Sequence, residues 1–135
     1  MPSASICPSA YRRYERRALE EAIELHPDAV IATPGGIVSD PATFGLLLAR
    51  CFTVWLQASP EEHMRRVVAQ GDLRPMAGHA GNQEAMDDLR RILAGRAAFY
   101  GKADLSFDTS GLPLAEAYAR LGAALHAARA GTSPR

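Results

Sequence analysis

The sequence predicts an α/β fold, a parallel sheet flanked by helices, and three observations predict it. Short runs rich in apolar residues at 28–33, 52–57 and 105–109 alternate with longer runs whose apolar residues recur at three-to-four spacing. Two of the longer runs open on helix-start signals, Asp40-Pro41 and Ser59-Pro60-Glu61-Glu62. At 135 residues with 47% hydrophobic composition, the chain has the size and the apolar content for one core.

The elements follow in order. In "YRRYERRALEEAIEL", residues 11–25, the positions Tyr11, Tyr14, Ala18, Ala22 and Leu25 form one stripe among Arg and Glu, which predicts an amphipathic helix. "DAVIAT" is read as a short buried strand, and "PGG" as the turn that follows it. Asp40 supplies an N-cap and Pro41 a first-turn residue for the helix "ATFGLLLARC". "FTVWLQ" is the clearest strand, with β-branched and aromatic residues. Ser59 and Glu62 then match a capping box, in which Glu62 reaches back to the cap, before the helix "PEEHMRRVVAQ". "GDLRPMAGHAG" has no periodicity and is read as a lid-like loop. Asn82 opens a long helix through "QEAMDDLRRILAGRAAFY", "LSFDT" is a third strand, and "PLAEAYARLGAALHAARA" is the closing helix. Residues 1–10 and 129–135 are expected to be a disordered lead and tail around one domain at 11–128.

Composition narrows the function. Fifteen basic and fifteen acidic side chains cancel, so no global field draws the chain to nucleic acid or an anionic membrane, and anion binding must be local. Cys7 and Cys51 belong to no CxxC pair, and the four histidines have no zinc-ligand spacing, so the expectation is free thiols, no metal site and a cytoplasmic location. No apolar run reaches the ~20 residues of a membrane span, and the first ten residues have no signal-peptide pattern.

In open parallel sheets, ligands sit beyond the carboxyl ends of the strands. Those ends are "TPGG", "QASPEE" and "DTSG". Gly35 and Gly36 either present backbone N–H groups to an anion or make a tight turn before a capped helix. Arg12, Arg13, Arg74, Arg90, Arg91 and Arg96 are the candidate anion-binding residues, with Glu15 on the same helical face as Arg12. No GxxxxGK[ST] phosphate loop and no GxSxG elbow occurs, which leaves no catalytic residue to name.

Taken in order, "YRRYERRALE", "VIATPGGIV", "FTVWLQASPEEHMRRV", "GDLRPMAG", "LAGRAAFY" and "DTSG" resemble the shikimate kinase family over residues 11–126. The stretch "RCFTVWLQASPEEHMRRVVAQGDLRPMAG" with "DLRRILAGR" resembles most the kinase-like ligand-sensing domain of the BzdR/BoxR-type helix-turn-helix regulators of benzoate catabolism. The resemblance implies a partial P-loop-kinase-like sheet without the first βα unit. It places Arg12 on the carboxylate-binding Arg of the acceptor site, with Glu15 beside it, and Gly35 and Gly36 on the acceptor-facing turn. Arg96 falls on the second acceptor-binding Arg and Arg74 on the lid Arg that contacts nucleotide phosphates. Pro34 stands where the family has the first glycine of the turn, which fixes one φ and removes one N–H.

These readings converge on an effector-binding domain of a benzoyl-CoA-responsive regulator, without its own phosphate loop or DNA-binding module and inactive as a kinase alone. The alternative is a shikimate kinase (ATP:shikimate 3-phosphotransferase) fragment or split subunit. A third reading is the product of a truncated gene. The family implies ATP and Mg²⁺, although the phosphate loop is absent from these residues. The expected partner is an anionic small molecule, benzoyl-CoA or shikimate-like, with neither nucleic acid nor membrane contacted directly. A homodimer, or a separate N-terminal half, is the expected cover for unpaired sheet edges.

Overall fold

A computed structural model describes residues 8–71 and 82–131. The chain divides into two compact units, Met1–Thr53 and Val54–Pro134.

The first unit is helical. Helix α1 (Pro8–Leu25) packs on α2 (Pro41–Arg50), and a single 3-10 turn at Gly35–Ser39 packs on α2 as well. The core is Leu19 from α1, Ile37 and Val38 from the turn, and Thr43 and Phe44 from α2, all buried. The start of α2 follows the sequence signals closely. Asp40 accepts the Ala42 N–H at 3.1 Å through one carboxylate oxygen and the Thr43 hydroxyl at 3.1 Å through the other, and Pro41 occupies the first turn. Thr43 is fully buried, so that hydroxyl depends on Asp40.

Two expectations for this unit are corrected. "DAVIAT" forms no strand: residues 28–34 are irregular, and Val30 is completely exposed. A strand needs a neighbour to satisfy its N–H and C=O groups, and among the described residues this unit contains no other strand. The sheet accordingly has two strands, not three. The second correction concerns the buried face of α1. Leu19 is buried with Ala22 and Ile23 half-buried, while Tyr11, Tyr14, Ala18 and Leu25 of the sequence stripe lie exposed. The helix is rotated so that Arg12 and Glu15 face inward.

The second unit is α/β. Strands β1 (Val54–Gln57) and β2 (Leu105–Asp108) pair in parallel, with Val54 opposite Leu105 and Gln57 opposite Asp108. Parallel strands require a long crossover, and α3 (Pro60–Ala69) and α4 (Asn82–Tyr100) supply it, packed on each other. Met64 of α3 and Ala85 of α4 are buried. Trp55 of β1 meets Tyr100 at the end of α4, ring centroids 5.5 Å apart and planes tilted by 36°. Helix α5 (Leu114–Ala130) contacts β2 and contributes no fully buried residue. This is the predicted class, a parallel sheet flanked by helices.

Helix α1 begins at Pro8 and α5 ends at Ala130, while the rest of the expected lead and tail lies outside the described residues. Most of the lid-like loop, with Arg74, lies outside them too. No helix among the described residues is long and apolar enough to cross a membrane.

Candidate functional site

Arg12 is one turn into α1, and its guanidinium reaches the glycine turn. Nη1 donates to Glu15 Oε1 at 2.9 Å and to the carbonyl of Gly36 at 3.0 Å. The i,i+3 spacing places Arg12 and Glu15 on one helical face. The Glu15 side chain is 10% exposed and that of Arg12 is 32% exposed, so the carboxylate is enclosed while part of the fork remains open. The other Glu15 oxygen, Oε2, is buried and has no hydrogen-bond partner among the described residues. A single guanidinium nitrogen thus serves both protein acceptors, and the guanidinium carbon lies 5.3 Å from the centre of the Tyr11 ring.

The turn itself is fixed from below. Pro34 has φ −63° and ψ 152°, both ordinary for proline, and its carbonyl accepts the Ile37 N–H at 3.2 Å. Ile37 and Val38 then anchor the turn in the core. Gly35 is exposed and Gly36 half-buried, and neither has a positive φ. The glycine pair is therefore not required by backbone handedness. Of the sequence candidates, Arg12, Glu15 and Gly36 come together, with Gly35 adjacent.

Arg96 lies on α4 in the second unit, half-buried, with no hydrogen bond or ion pair to any described residue. Arg74 lies outside the described residues.

The carboxyl ends of β1 and β2 form a second polar cluster, which sequence reasoning found only in part. The Gln57 carbonyl accepts both the Thr109 N–H at 2.8 Å and the Thr109 hydroxyl at 2.7 Å. Arg66 Nη1 donates to the Thr109 hydroxyl at 2.9 Å and Nη2 to the Thr109 carbonyl at 3.2 Å. Arg66 also pairs with Glu62 at 3.2 Å. A hollow of about 240 Å³ opens here, lined in part by Gln57, His63, Arg66 and Thr109. The Ser59 hydroxyl caps α3 by accepting the Glu62 N–H at 3.2 Å, as the capping box predicts. The other half of the box differs. The Ser59 N–H goes to the Ser110 hydroxyl at 2.8 Å, and the Glu62 carboxylate accepts the Gly111 N–H instead. The signal for this was the juxtaposition of "SPEE" and "DTSG" at parallel strand ends. Local pattern cannot reveal it, because the partners are about fifty residues apart.

The family model described as shikimate kinase matches residues 5–125. The chain belongs to the shikimate kinase family. It is 38% identical over 101 residues to a shikimate kinase of Synechococcus sp. (strain RCC307), an alignment that covers 75% of this chain and 49% of the relative. It is 34% identical over 112 residues to one of Xanthomonas euvesicatoria pv. vesicatoria (strain 85-10), covering 82% and 59%. Against one of Caldicellulosiruptor saccharolyticus it is 30% identical over 99 residues, covering 73% and 55%. The chain thus spans about half the length of the curated relatives it matches. No solved structure matches it significantly.

These relatives correct the functional expectation. Proteins 30–38% identical over most of the chain are named shikimate kinase, which overturns the reading of a benzoyl-CoA-responsive regulator domain, and the benzoyl-CoA effector falls with it. The similarity to BzdR/BoxR-type regulators is not shown.

The family uses ATP and Mg²⁺. The described residues contain no group of three or more His, Cys, Asp or Glu side chains that could hold a metal ion, and the 135 residues contain no GxxxxGK[ST] loop.

Proposed function

We propose that the chain carries the acceptor-binding part of a shikimate kinase, which transfers a phosphoryl group from ATP to shikimate. The observation that carries this reading is the Arg12 guanidinium, oriented by Glu15 and the Gly36 carbonyl, with part of its fork open to solvent.

The chemistry follows from the arrangement. Shikimate is a small carboxylate with three hydroxyl groups. A guanidinium held by a buried carboxylate is an ordered donor for that carboxylate, because the fork need not be organised at the moment of binding. The neighbouring glycines let a ring approach the backbone without meeting a Cβ. Arg74 is assigned to the nucleotide phosphates on the strength of the family pattern alone. Phosphoryl transfer depends on positioning and electrostatic stabilisation of the phosphates. In this proposal those groups are supplied from outside the 135 residues, and these residues hold and orient the acceptor.

The test is an NMR titration of the full chain with shikimate. Saturable shifts at the Arg12 side chain and at the Gly35 and Gly36 amides are the expected result. Shifts confined to the strand-end cluster around Thr109, or none at all, would remove the proposal.

A further inference from the structure

Tyr11 presents an aromatic surface that no core uses. It lies 45% exposed, and the core of the first unit is built from α1 on Leu19 instead. What the ring does meet is Arg12, whose guanidinium carbon lies over it, 5.3 Å from the centre. At that distance the negative face of the ring attracts the cation.

Two features of α1 give this contact a purpose. Local charge opposes a fixed cation at Arg12, because Arg13 adjoins it and Arg16 follows at i+4, where like charges repel. The hydrogen bonds, in turn, hold the guanidinium at one corner only, since Glu15 Oε1 and the Gly36 carbonyl both accept from Nη1. A planar group held at a corner keeps a swing about it, and a contact at its centre restricts that swing. Tyr11 and Glu15 are themselves i,i+4 neighbours, so the ring and the carboxylate share one side of α1 and receive the guanidinium together.

We infer that Tyr11 is a positioning residue of the acceptor site, its ring being the platform that orients the Arg12 guanidinium for the acceptor's carboxylate. This role rests on the reading of Arg12 as the carboxylate-binding residue. The aromatic face, and not the phenol hydroxyl, is the working part, because the contact is made at the ring. A fork already oriented loses less freedom when the carboxylate arrives, so the ring raises affinity without touching the ligand.

The test compares the full chain with Tyr11→Phe, which keeps the ring, and Tyr11→Leu, which keeps apolar bulk without it. The first readout needs no ligand. In proton NMR of the unliganded chain, the Arg12 side-chain protons are expected to be shifted upfield by the ring current in the parent and in Tyr11→Phe, and to return to ordinary positions in Tyr11→Leu. The second readout is calorimetric titration of shikimate. Tyr11→Phe is expected to bind as the parent does, and Tyr11→Leu about two- to fivefold more weakly, as loss of an exposed cation–π contact implies. In a chain that already carries Arg12→Met, Tyr11→Leu is expected to change nothing further, because the group it acts through is gone. Circular dichroism checks helix content, and should Tyr11→Leu unfold, the shifts of the parent and Tyr11→Phe decide the matter. Ordinary Arg12 shifts in the parent, equal affinity of the parent and Tyr11→Leu, a Tyr11→Phe as weak as Tyr11→Leu, or the same loss with and without Arg12 would each overturn the inference. A parent that binds no shikimate overturns the proposed function, whereas the ligand-free shifts decide by themselves whether the ring holds Arg12.

Discussion

The carboxylate of Glu62, on α3, accepts the N–H of Gly111, forty-nine residues further along the chain, at 3.1 Å through one oxygen and 3.3 Å through the other. The same carboxylate pairs with Arg66, which holds Thr109. One acidic side chain thus ties the helix after β1 to the turn after β2. Its side chain is 14% exposed, so these contacts are shielded from most of the water that would compete for them. Glu62→Ala is expected to destabilise the chain by about 1–3 kcal/mol, as loss of a charge-assisted bond does. Glu62→Gln keeps an acceptor and should lose less. Urea unfolding of both variants checks the order.

Gly111 and Gly122 are expected to respond to alanine in opposite directions. Gly111 has φ 74°, with nothing within 4 Å of the position a Cβ would take, so its cost is purely one of backbone conformation. Gly111→Ala should destabilise by about 1 kcal/mol. Gly122 lies inside α5, also with nothing within 4 Å, and Gly122→Ala should stabilise by about 0.5–1 kcal/mol. Thermal unfolding of the two variants reads the signs directly.

The cap on α2 sustains a buried hydroxyl. Asp40→Ala removes the partner of Thr43, which is fully buried, together with the cap bond to Ala42. The expected loss is about 2 kcal/mol, from a lost cap plus an unsatisfied buried group. Adding Thr43→Val should recover part of it, because the orphaned hydroxyl is then gone. A double-mutant cycle in denaturant measures that recovery.

Two exposed carboxylates set a small acid dependence. The side-chain bond from Arg90 holds Glu61 below its ordinary value of 4.5, and the Ser110 N–H holds Asp108 below 3.8. Both folded values are depressed, so each contribution is present above the ordinary value and is lost as pH falls through the folded one. Glu61→Gln and Asp108→Asn should therefore differ from the parent at neutral pH and converge with it as pH falls through the depressed folded values. Unfolding curves at a series of pH values test this.

Much of the fold was legible because its signals are local. Asp40-Pro41 and Ser59-Pro60 mark helix starts that the structure reproduces, and "FTVWLQ" and "LSFDT" contain β1 and β2. "DAVIAT" failed because an apolar run says that residues prefer burial, not that a neighbouring strand exists to pair with; Val30 is fully exposed. The buried face of α1 was misread for a related reason. Its apolar stripe was the better local pattern, but Arg12, paired with Glu15, turns inward to donate to the Gly36 carbonyl, a contact between residues twenty-four positions apart. At the candidate site, Arg12, Gly35 and Gly36 were legible from the family pattern, and the role of Glu62 was not. Its capping-box spacing pointed to Ser59, whereas parallel pairing brought the Gly111 N–H within reach.

The central claim is that Arg12 receives the acceptor's carboxylate, and calorimetric titration of shikimate into the parent chain, Arg12→Met and Arg12→Lys tests it most directly. The account expects saturable binding by the parent, loss of at least about tenfold in affinity for Arg12→Met, and an intermediate value for Arg12→Lys, which keeps the charge without the planar fork. Equal affinity across the three proteins, or no binding by the parent, would contradict it.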